Sequence, residues 1–483
     1  ASDWVTLQLS NIISDKESIC NVLSTIPSEQ TGDTYGMQNG GSVAEVRLGA
    51  WYDNNYPWAV SFYERRQVYG GSNAQPNMVW FSKINDSTDF RTIESDGVVL
   101  DTTGITYPLG SSSSVIRWFL SSTTLLIGTE AGEWQIRPNE LQAAVSATNI
   151  RINEETAIGS IIPASRIGPS TFFTNSSGRI FSEFVYELQQ QRFVTKTTTK
   201  LVPDLFLDSG ITAFAYQQSP RSVIWLLNDS GKLFSLTYRQ EDDYYAWSTH
   251  TTPNGVFTDL VVLPKSSSVN KEDQLFVVVE RSGVRTLEAL SEVFTDDQSD
   301  NFKPNLSYLD SSVRYPAVGY LAQETIPVPT HLQGHATIDT VIDGVYLGAL
   351  DVVDNLVQLP DGIICNRYAL IGIKYAGEIQ PMPLAFEGFG GTIYGEDIRV
   401  AEIKFYLYKS MGYDITLGDN TDSVRGIGST SDTMGESPAL YTGFTDRKLH
   451  TTSVYNKSND PIIRQLEPYP LNIVSINYKI SVN

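Results

Sequence analysis

The feature that most limits what this chain can become is a unit of strand, tight glycine turn and strand that recurs at nearly constant spacing. Its copies read TLLIGTEAGEWQI around Gly132, FFTNSSGRIFSEF around Gly178, VIWLLNDSGKLFSLTY around Gly231 and LFVVVERSGVRTLEAL around Gly283. These glycines stand 46, 53 and 52 residues apart. A hairpin unit with a fixed period of about 50 residues has an apolar face that only a neighbouring unit can cover, which is the logic of a radial or stacked array. A looser copy, RRQVYGGSNAQPNMVWFS, occupies residues 65–82 with its turn at Gly70 and Gly71. The expected fold is therefore all-β: a β-propeller of five or six blades over residues 46–292, followed by a second β-rich domain. A β-sandwich with evenly spaced hairpins is the competing arrangement.

Turn chemistry supports the repeat. Asp229-Ser230-Gly231 and Ser176-Ser177-Gly178 put a residue free to take positive φ between two β-rich runs, which keeps the native twist of the paired strands. Residues 1–45 read as a β-rich remnant of an N-terminal region, with a strand from Trp4 to Leu9, a short helix near Ser18 to Leu23 and a polar loop at TGDTYGMQNGGS. Within the repeat, Pro138 and Glu140 open a brief helix over 138–147. The acids, Ser, Asn and Pro of TDDQSDNFKPN, residues 295–305, mark the expected domain boundary. Residues 306–483 then form a separate β domain. There Ile403, Phe405 and Leu407 alternate with Lys404, Tyr406 and Tyr408, as in a strand with two different faces. The segment from Leu417 to Pro438 has few bulky apolar residues and reads as a long loop.

Composition narrows the function classes. The chain has 483 residues, 41% hydrophobic and 11% aromatic, with 25 Tyr, which describes a folded, strand-rich protein. Its 34 basic and 55 acidic residues give a formal charge of −21 with no dense basic run, so the electrostatic footprint that grips a phosphate backbone is missing. Such a surface lets DNA pass without sticking. No apolar run reaches the roughly 18 residues of a spanning helix, and a soluble protein is expected. The two cysteines, Cys20 and Cys365, lack zinc-site spacing and read as buried thiols.

Little in the sequence points to chemistry, and no residue is singled out as catalytic, cofactor-binding or metal-binding. The histidines are His250, His331, His335 and His450. The four-residue spacing of His331 and His335 suits one helix face, but Pro327, Pro329 and Gly334 favour turn or strand there. GFGGTIYG, residues 388–395, resembles a phosphate cradle in its letters, yet it opens no helix and reads as a hairpin turn. Asp242 and Asp243 form the one acid pair reminiscent of a glycosidase couple. Their setting, after Arg239-Gln240-Glu241, is that of a solvated turn.

Several segments are similar to the tail nozzle proteins of short-tailed bacteriophages, also called tail tubular or DNA-stabilisation proteins. They are LGAWYDNNYPWAVSFYERRQVYGGSNAQPNMVWFS, IRWFLSSTTLLIGTEAGEW, AYQQSPRSVIWLLNDSGKLFSLTYRQEDDYYAW, LDSSVRYP from Leu309 and the closing PYPLNIVSINYKIS. The resemblance runs in order from Leu48 to the C-terminus. It implies a structural, non-enzymatic virion protein, made in the bacterial host cytoplasm. Six copies would form a homo-hexameric ring that encloses the channel for genome exit. A head-tail adaptor would lie on one side and tail fibres or spikes on the other, with residues 306–483 as platform and nozzle. Family members carry a further N-terminal portion before the Trp4 strand. The chain opens at Ala1 in what reads as sheet, so it is expected to be cut or split from a longer product, and a separate N-terminal polypeptide is expected to pair with residues 4–9. The alternative function is a glycan-cleaving or glycan-binding propeller that acts on the host envelope.

Overall fold

The computed structural model describes residues 7–14, 17–22, 51, 55–94, 98–110, 114–140, 143–187, 192–242, 244–264, 272–291, 307–316, 325–363, 365, 368–382, 387–388, 391–392, 398–417, 420–424, 440–445 and 461–482. Among them there is no α-helix, and the fold is all-β. The chain forms two compact units, one of residues 1–216, 228–230 and 241–247, the other of 217–227, 231–240 and 248–483.

Five antiparallel meander sheets follow one another along the repeat region in the blade pattern of a β-propeller. Blade 1 contains Ala59–Tyr63, Arg66–Gly70, Met78–Phe81 and Ile105–Pro108. Blade 2 contains Ile116–Ser121, Leu125–Thr129, Glu133–Arg137 and Arg151–Thr156. Blade 3 contains Ser165–Ile167, Ser170–Thr174, Phe181–Glu187 and Arg192–Thr197. Ile211–Gln217, Val223–Asn228, Leu233–Arg239 and Tyr244–His250 make blade 4, whose residues are apportioned between the two units. Val256–Pro264, Asp273–Arg281 and Val284–Ala289 make the three described strands of blade 5.

Every glycine turn that reveals the repeat lies between the second and third strands of its sheet. Gly71, Gly178, Gly231 and Gly283 have φ of 63°, 70°, 76° and 79°, the left-handed region that glycine enters without steric cost. Gly132 serves differently. It is not left-handed, but a Cβ there would stand 2.4 Å from the Thr156 carbonyl oxygen, so its turn needs close backbone approach rather than a special dihedral. At or beside these turns the chain makes a recurring link to the segment that opens the next sheet. The N–H groups of Ile116, Ser160, Ile211 and Phe257 donate to the carbonyls of Pro76, Thr129, Gly178 and Gly231 at 3.0, 2.7, 2.8 and 3.0 Å.

The sheets pack through their alternating faces. Ala59, Tyr63, Val68 and Phe81 of blade 1 share a buried cluster with Ile116, Leu125 and Ile127 of blade 2. A register shift between Ile116 and Trp118 swings Trp118 to the opposite face. There Trp118 and Leu126 pack on Phe173 and Phe184 of blade 3. The other face of blade 3 presents Phe172 and Phe181, and Phe181 meets Phe214 and Trp247 edge-on at 5.2 and 6.4 Å. In the second unit, Trp225 and Leu233 pack on Leu275, Val277 and Val279 of blade 5.

Residues beyond the repeat form a six-stranded sheet over 310–373, a four-stranded sheet drawn from 377–465 and a three-stranded sheet around the long strand Ile398–Ser410. In that strand Ile403, Phe405 and Leu407 are buried, as their alternation requires. The expected boundary at 295–305 lies outside the described residues.

Three expectations need correction. Glu17–Val22 is a strand, not the start of a helix over 18–23, and it pairs with Leu7–Ser14. Ile19 and Val22 are β-branched, and a hairpin satisfies this short stretch better than one isolated helical turn. Its pairing also occupies one edge of residues 7–9. The described residues of 138–147 are non-helical, because Val145 is buried and its N–H donates to the Glu64 carboxylate at 2.6 Å. Part of the long loop over 417–438 is a strand, Asn420–Val424, which pairs with Tyr413–Leu417. Residues 425–438 lie outside the described residues.

Candidate interaction surface

The first strand of blade 1 carries the largest unexplained feature of the first unit. Ala59–Tyr63 and Arg66–Gly70 form a hairpin whose turn residues Glu64 and Arg65 are both left-handed, with φ of 46° and 62°. That is the two-residue turn whose twist matches paired strands. Ala59 and Tyr63 point into the core shared with blade 2. The alternate residues Tyr56, Trp58, Val60 and Phe62 point away from it and are 64%, 42%, 56% and 65% exposed. Trp58 is held in place by an Nε1–H bond to the Ile116 carbonyl, and its ring lies where a Cβ on Gly71 would be, 2.6 Å from Nε1.

Towards the outer strands the same sheet face is covered by the chain itself. Tyr69, which pairs with Val60, packs against Trp51 and Phe90 with ring centres 5.0 and 5.5 Å apart, and Trp51 also meets Trp80. Bare aromatic and branched side chains therefore concentrate on the inner strand. Exposed apolar side chains grouped in this way are the kind of surface on which protein, ligand or membrane contacts form.

His250 Nε2 lies 2.8 Å from Ser235 Oγ, and its ring packs on Trp225 at 5.2 Å. Burial pushes its pKa below the usual imidazole value, so the ring is neutral. A serine and a neutral imidazole are the parts of a nucleophile and its base, and here Ser235 is only 7% exposed. Glu183 is buried on the blade 3 face that carries Phe172 and Phe181, where Ser170 and Tyr245 donate to its two oxygens.

Glu133 is buried at the start of a blade 2 strand, and Thr156 donates to its carboxylate. Burial raises its pKa, with Thr156, Ser160 and the Gly159 amide offsetting part of that rise. A carboxyl whose pKa is higher folded than unfolded favours folding below its unfolded value and opposes it as pH rises through the folded value. Glu133→Gln is therefore expected to be more stable than the parent at pH 8 and to lose that advantage by pH 4. Urea midpoints measured across that range check this.

The remaining sequence candidates are not brought together. His331 lies in the 3-10 turn Thr330–Leu332 and bonds the Ser311 carbonyl at 3.0 Å, whereas Gly334, with φ of 94°, turns the chain before His335. His450 and Asp243 lie outside the described residues, and Asp242 occupies an exposed turn. Glu387–Gly388 pairs with Gly391–Thr392, which fits a hairpin at the glycine-rich stretch. Cys365 is buried. Among the described residues no group of three or more His, Cys, Asp or Glu is arranged to hold a metal ion, and no helix is long and apolar enough to cross a membrane.

No protein-family model matches the chain, and neither does any curated protein sequence. Among solved structures, it is similar to an auxiliary nutrient binding protein from Bacteroides thetaiotaomicron, at 8% identity and a TM-score of 0.28, over 49% of this chain and 57% of that one. It is also similar to a protein from Lactobacillus plantarum, at 13% identity and a TM-score of 0.26, over 46% and 69% of the two chains. The chain thus spans little more than half the length of the first. Overlays this loose assign no residue a role.

Proposed function

We propose that the protein is a structural component of a short-tailed bacteriophage virion, a tail nozzle subunit that assembles into a ring around the channel for genome exit. The observation that carries this reading is the exposed row Tyr56, Trp58, Val60 and Phe62 in an array whose sheets share buried clusters between blades 1 and 2, 2 and 3, and 4 and 5, as expected of a protomer built for an assembly. The ordered resemblance from Leu48 to the C-terminus is what suggests this assembly. The net charge of −21 suits a wall past which DNA moves without being held. Copies that meet head to tail through unlike surfaces close into rings with an axial passage; six copies, the adaptor and fibre contacts, and a separate strand beside residues 4–9 belong to this reading.

A glycan-acting propeller is the competing reading, and it draws on the same row, because aromatic rings also offer flat apolar faces to sugars. Imaging of intact particles labelled on this chain separates the two. An axial ring at the tail is the expected result. Peripheral spikes, together with depolymerisation of host polysaccharide by the purified chain that Asp243→Asn abolishes, would overturn the nozzle reading.

A further inference from the structure

A chemically reactive pair stands where the chain passes from blade 4 to blade 5. Two asparagines precede a glycine, Asn39 and Asn254, and the first lies outside the described residues. Asn254 is exposed in the turn Thr252-Pro253-Asn254-Gly255 and has φ of 53°. Proline in the second place and a left-handed asparagine in the third is the type II pattern. Turn asparagines elsewhere in the array are tied down. Asn175 Oδ1 accepts from the N–H groups of Arg179 and Ile180 at 3.0 and 3.1 Å, and Asn228 Oδ1 accepts from Ser230 Oγ at 3.0 Å. Among the described residues, no hydrogen bond of this kind holds the Asn254 side chain.

The flanks of the turn are packed closely. A Cβ on Gly255 would stand 2.7 Å from Arg281 Cγ and 3.1 Å from the Glu280 carbonyl oxygen. Thr252, 9% exposed, donates to Asp310 Oδ2 at 2.6 Å and accepts from Arg281 Nη2 at 2.5 Å. Arg281 Nη2 also lies 3.2 Å from Asp310, and its Nη1 bonds Glu288. The turn thus closes a charged network that runs from blade 5 to the first residue of the strand Asp310–Pro316.

We infer that Asn254 is a site of spontaneous backbone modification, and that its isoaspartate form opens the Arg281–Asp310 network. The Gly255 nitrogen attacks Asn254 Cγ and gives its proton to water; the Cγ bond to the side-chain nitrogen breaks, ammonia leaves and a succinimide closes. Held neighbours react as one unit, and Gly255 has no side chain to hinder the approach. Water then adds to one of the two ring carbonyls. Opening at one gives aspartate; opening at the other routes the main chain through Cβ and Cγ as isoaspartate. No electrons are transferred, and water is the one co-reactant. The isoaspartate main chain is longer by one carbon between Thr252 and Gly255, so it cannot keep Thr252 on Asp310 while Gly255 stays against Arg281. This chemistry needs no partner subunit and is independent of the assembly the chain enters.

Ageing the full chain at pH 8 and 37 °C tests this, with a urea-unfolded sample beside it and peptide mapping by mass spectrometry. Conversion at Asn254 in the folded chain is expected to run several times faster than at Asn175 or Asn228, with isoaspartate as a product. An Asn254 that stays an amide in the folded chain while it converts in urea would show that the fold protects it, and would overturn the inference. Hydrogen exchange then reads the network. Amides 310–316 of the isoaspartate fraction are expected to exchange about tenfold faster than those of fresh protein, whereas freshly made Asn254→Asp, which has the charge without the added carbon, should match the parent. Asn254→Gly suits the left-handed position, cannot form the ring and should keep its protection through ageing. Equal exchange in the isoaspartate and parent chains, or equal loss in aged Asn254→Gly, would also overturn it.

Discussion

Replacing Arg66 with alanine is expected to cost blade 1 about 3–5 kcal/mol of stability, the range seen when one partner of a buried charged network is deleted. Arg66 is 1% exposed. Its Nη1 donates to the carbonyls of Ser82 and Thr103 at 2.7 and 2.6 Å, and its Nη2 donates to that of Asp101. One planar fork thus ties the second strand of the sheet to the chain beyond its third and to the residues before its fourth. Burial pulls the guanidinium pKa down while Glu64 and Asp101 oppose that shift, and the group stays charged because no other protonation state is accessible to arginine in proteins. Alanine strands three carbonyls without a donor, each worth about 1–3 kcal/mol when buried. Lysine restores the charge but, as a compact ammonium, cannot reproduce the fork. Hydrogen exchange on amides 66–82 is the measurement: acceleration of about 100-fold or more is expected for Arg66→Ala, with Arg66→Lys in between. Exchange unchanged in the alanine variant would show that the carbonyls find other donors.

Phe173→Ala is expected to cost about 3–5 kcal/mol as well, through a cavity between blades 2 and 3. Phe173 is fully buried, meets Phe184 edge-on at 6.0 Å and packs with Trp118 and Leu126. Leucine at the same position retains most of the volume and should cost about 1 kcal/mol. Phe62→Ala is the internal control. It removes the same side chain from an exposed position and should stay within about 0.5 kcal/mol in the isolated chain. Thermal unfolding of the three variants under one condition tests the order, and a Phe173→Ala midpoint no lower than that of Phe62→Ala would contradict the packing described for these sheets.

The glycine turns were legible because a turn's demand is local. Gly178, Gly231 and Gly283 advertise a left-handed position between strands, and all three fall between the second and third strands of successive sheets. What was not legible depends on distant residues. Gly132 is required by the Thr156 carbonyl, 24 positions away, which no local pattern announces. The row at Tyr56, Trp58, Val60 and Phe62 is hidden because its inward neighbours Ala59 and Tyr63 are also apolar, so the segment reads as continuously hydrophobic rather than alternating. Glu133 and Glu183 look like surface carboxylates until the sheets stack over them. The helix expected at 18–23 failed for a related reason: six residues can form a helical turn in isolation, but pairing with Leu7–Ser14 satisfies their backbone more completely.

The backward links from Ile116, Ser160, Ile211 and Phe257 also set an order of events on the ribosome. Each turn carbonyl waits for a donor that lies 26 to 40 residues downstream, so a blade is sealed only when translation has moved into the following one. The nascent protein therefore consolidates from its N-terminal side in short steps, and no step requires contact between distant parts of the chain. A nascent chain whose emerged part ends just before Ile211 holds a third blade whose Gly178 carbonyl is still open to water, and the emergence of Ile211 supplies its partner.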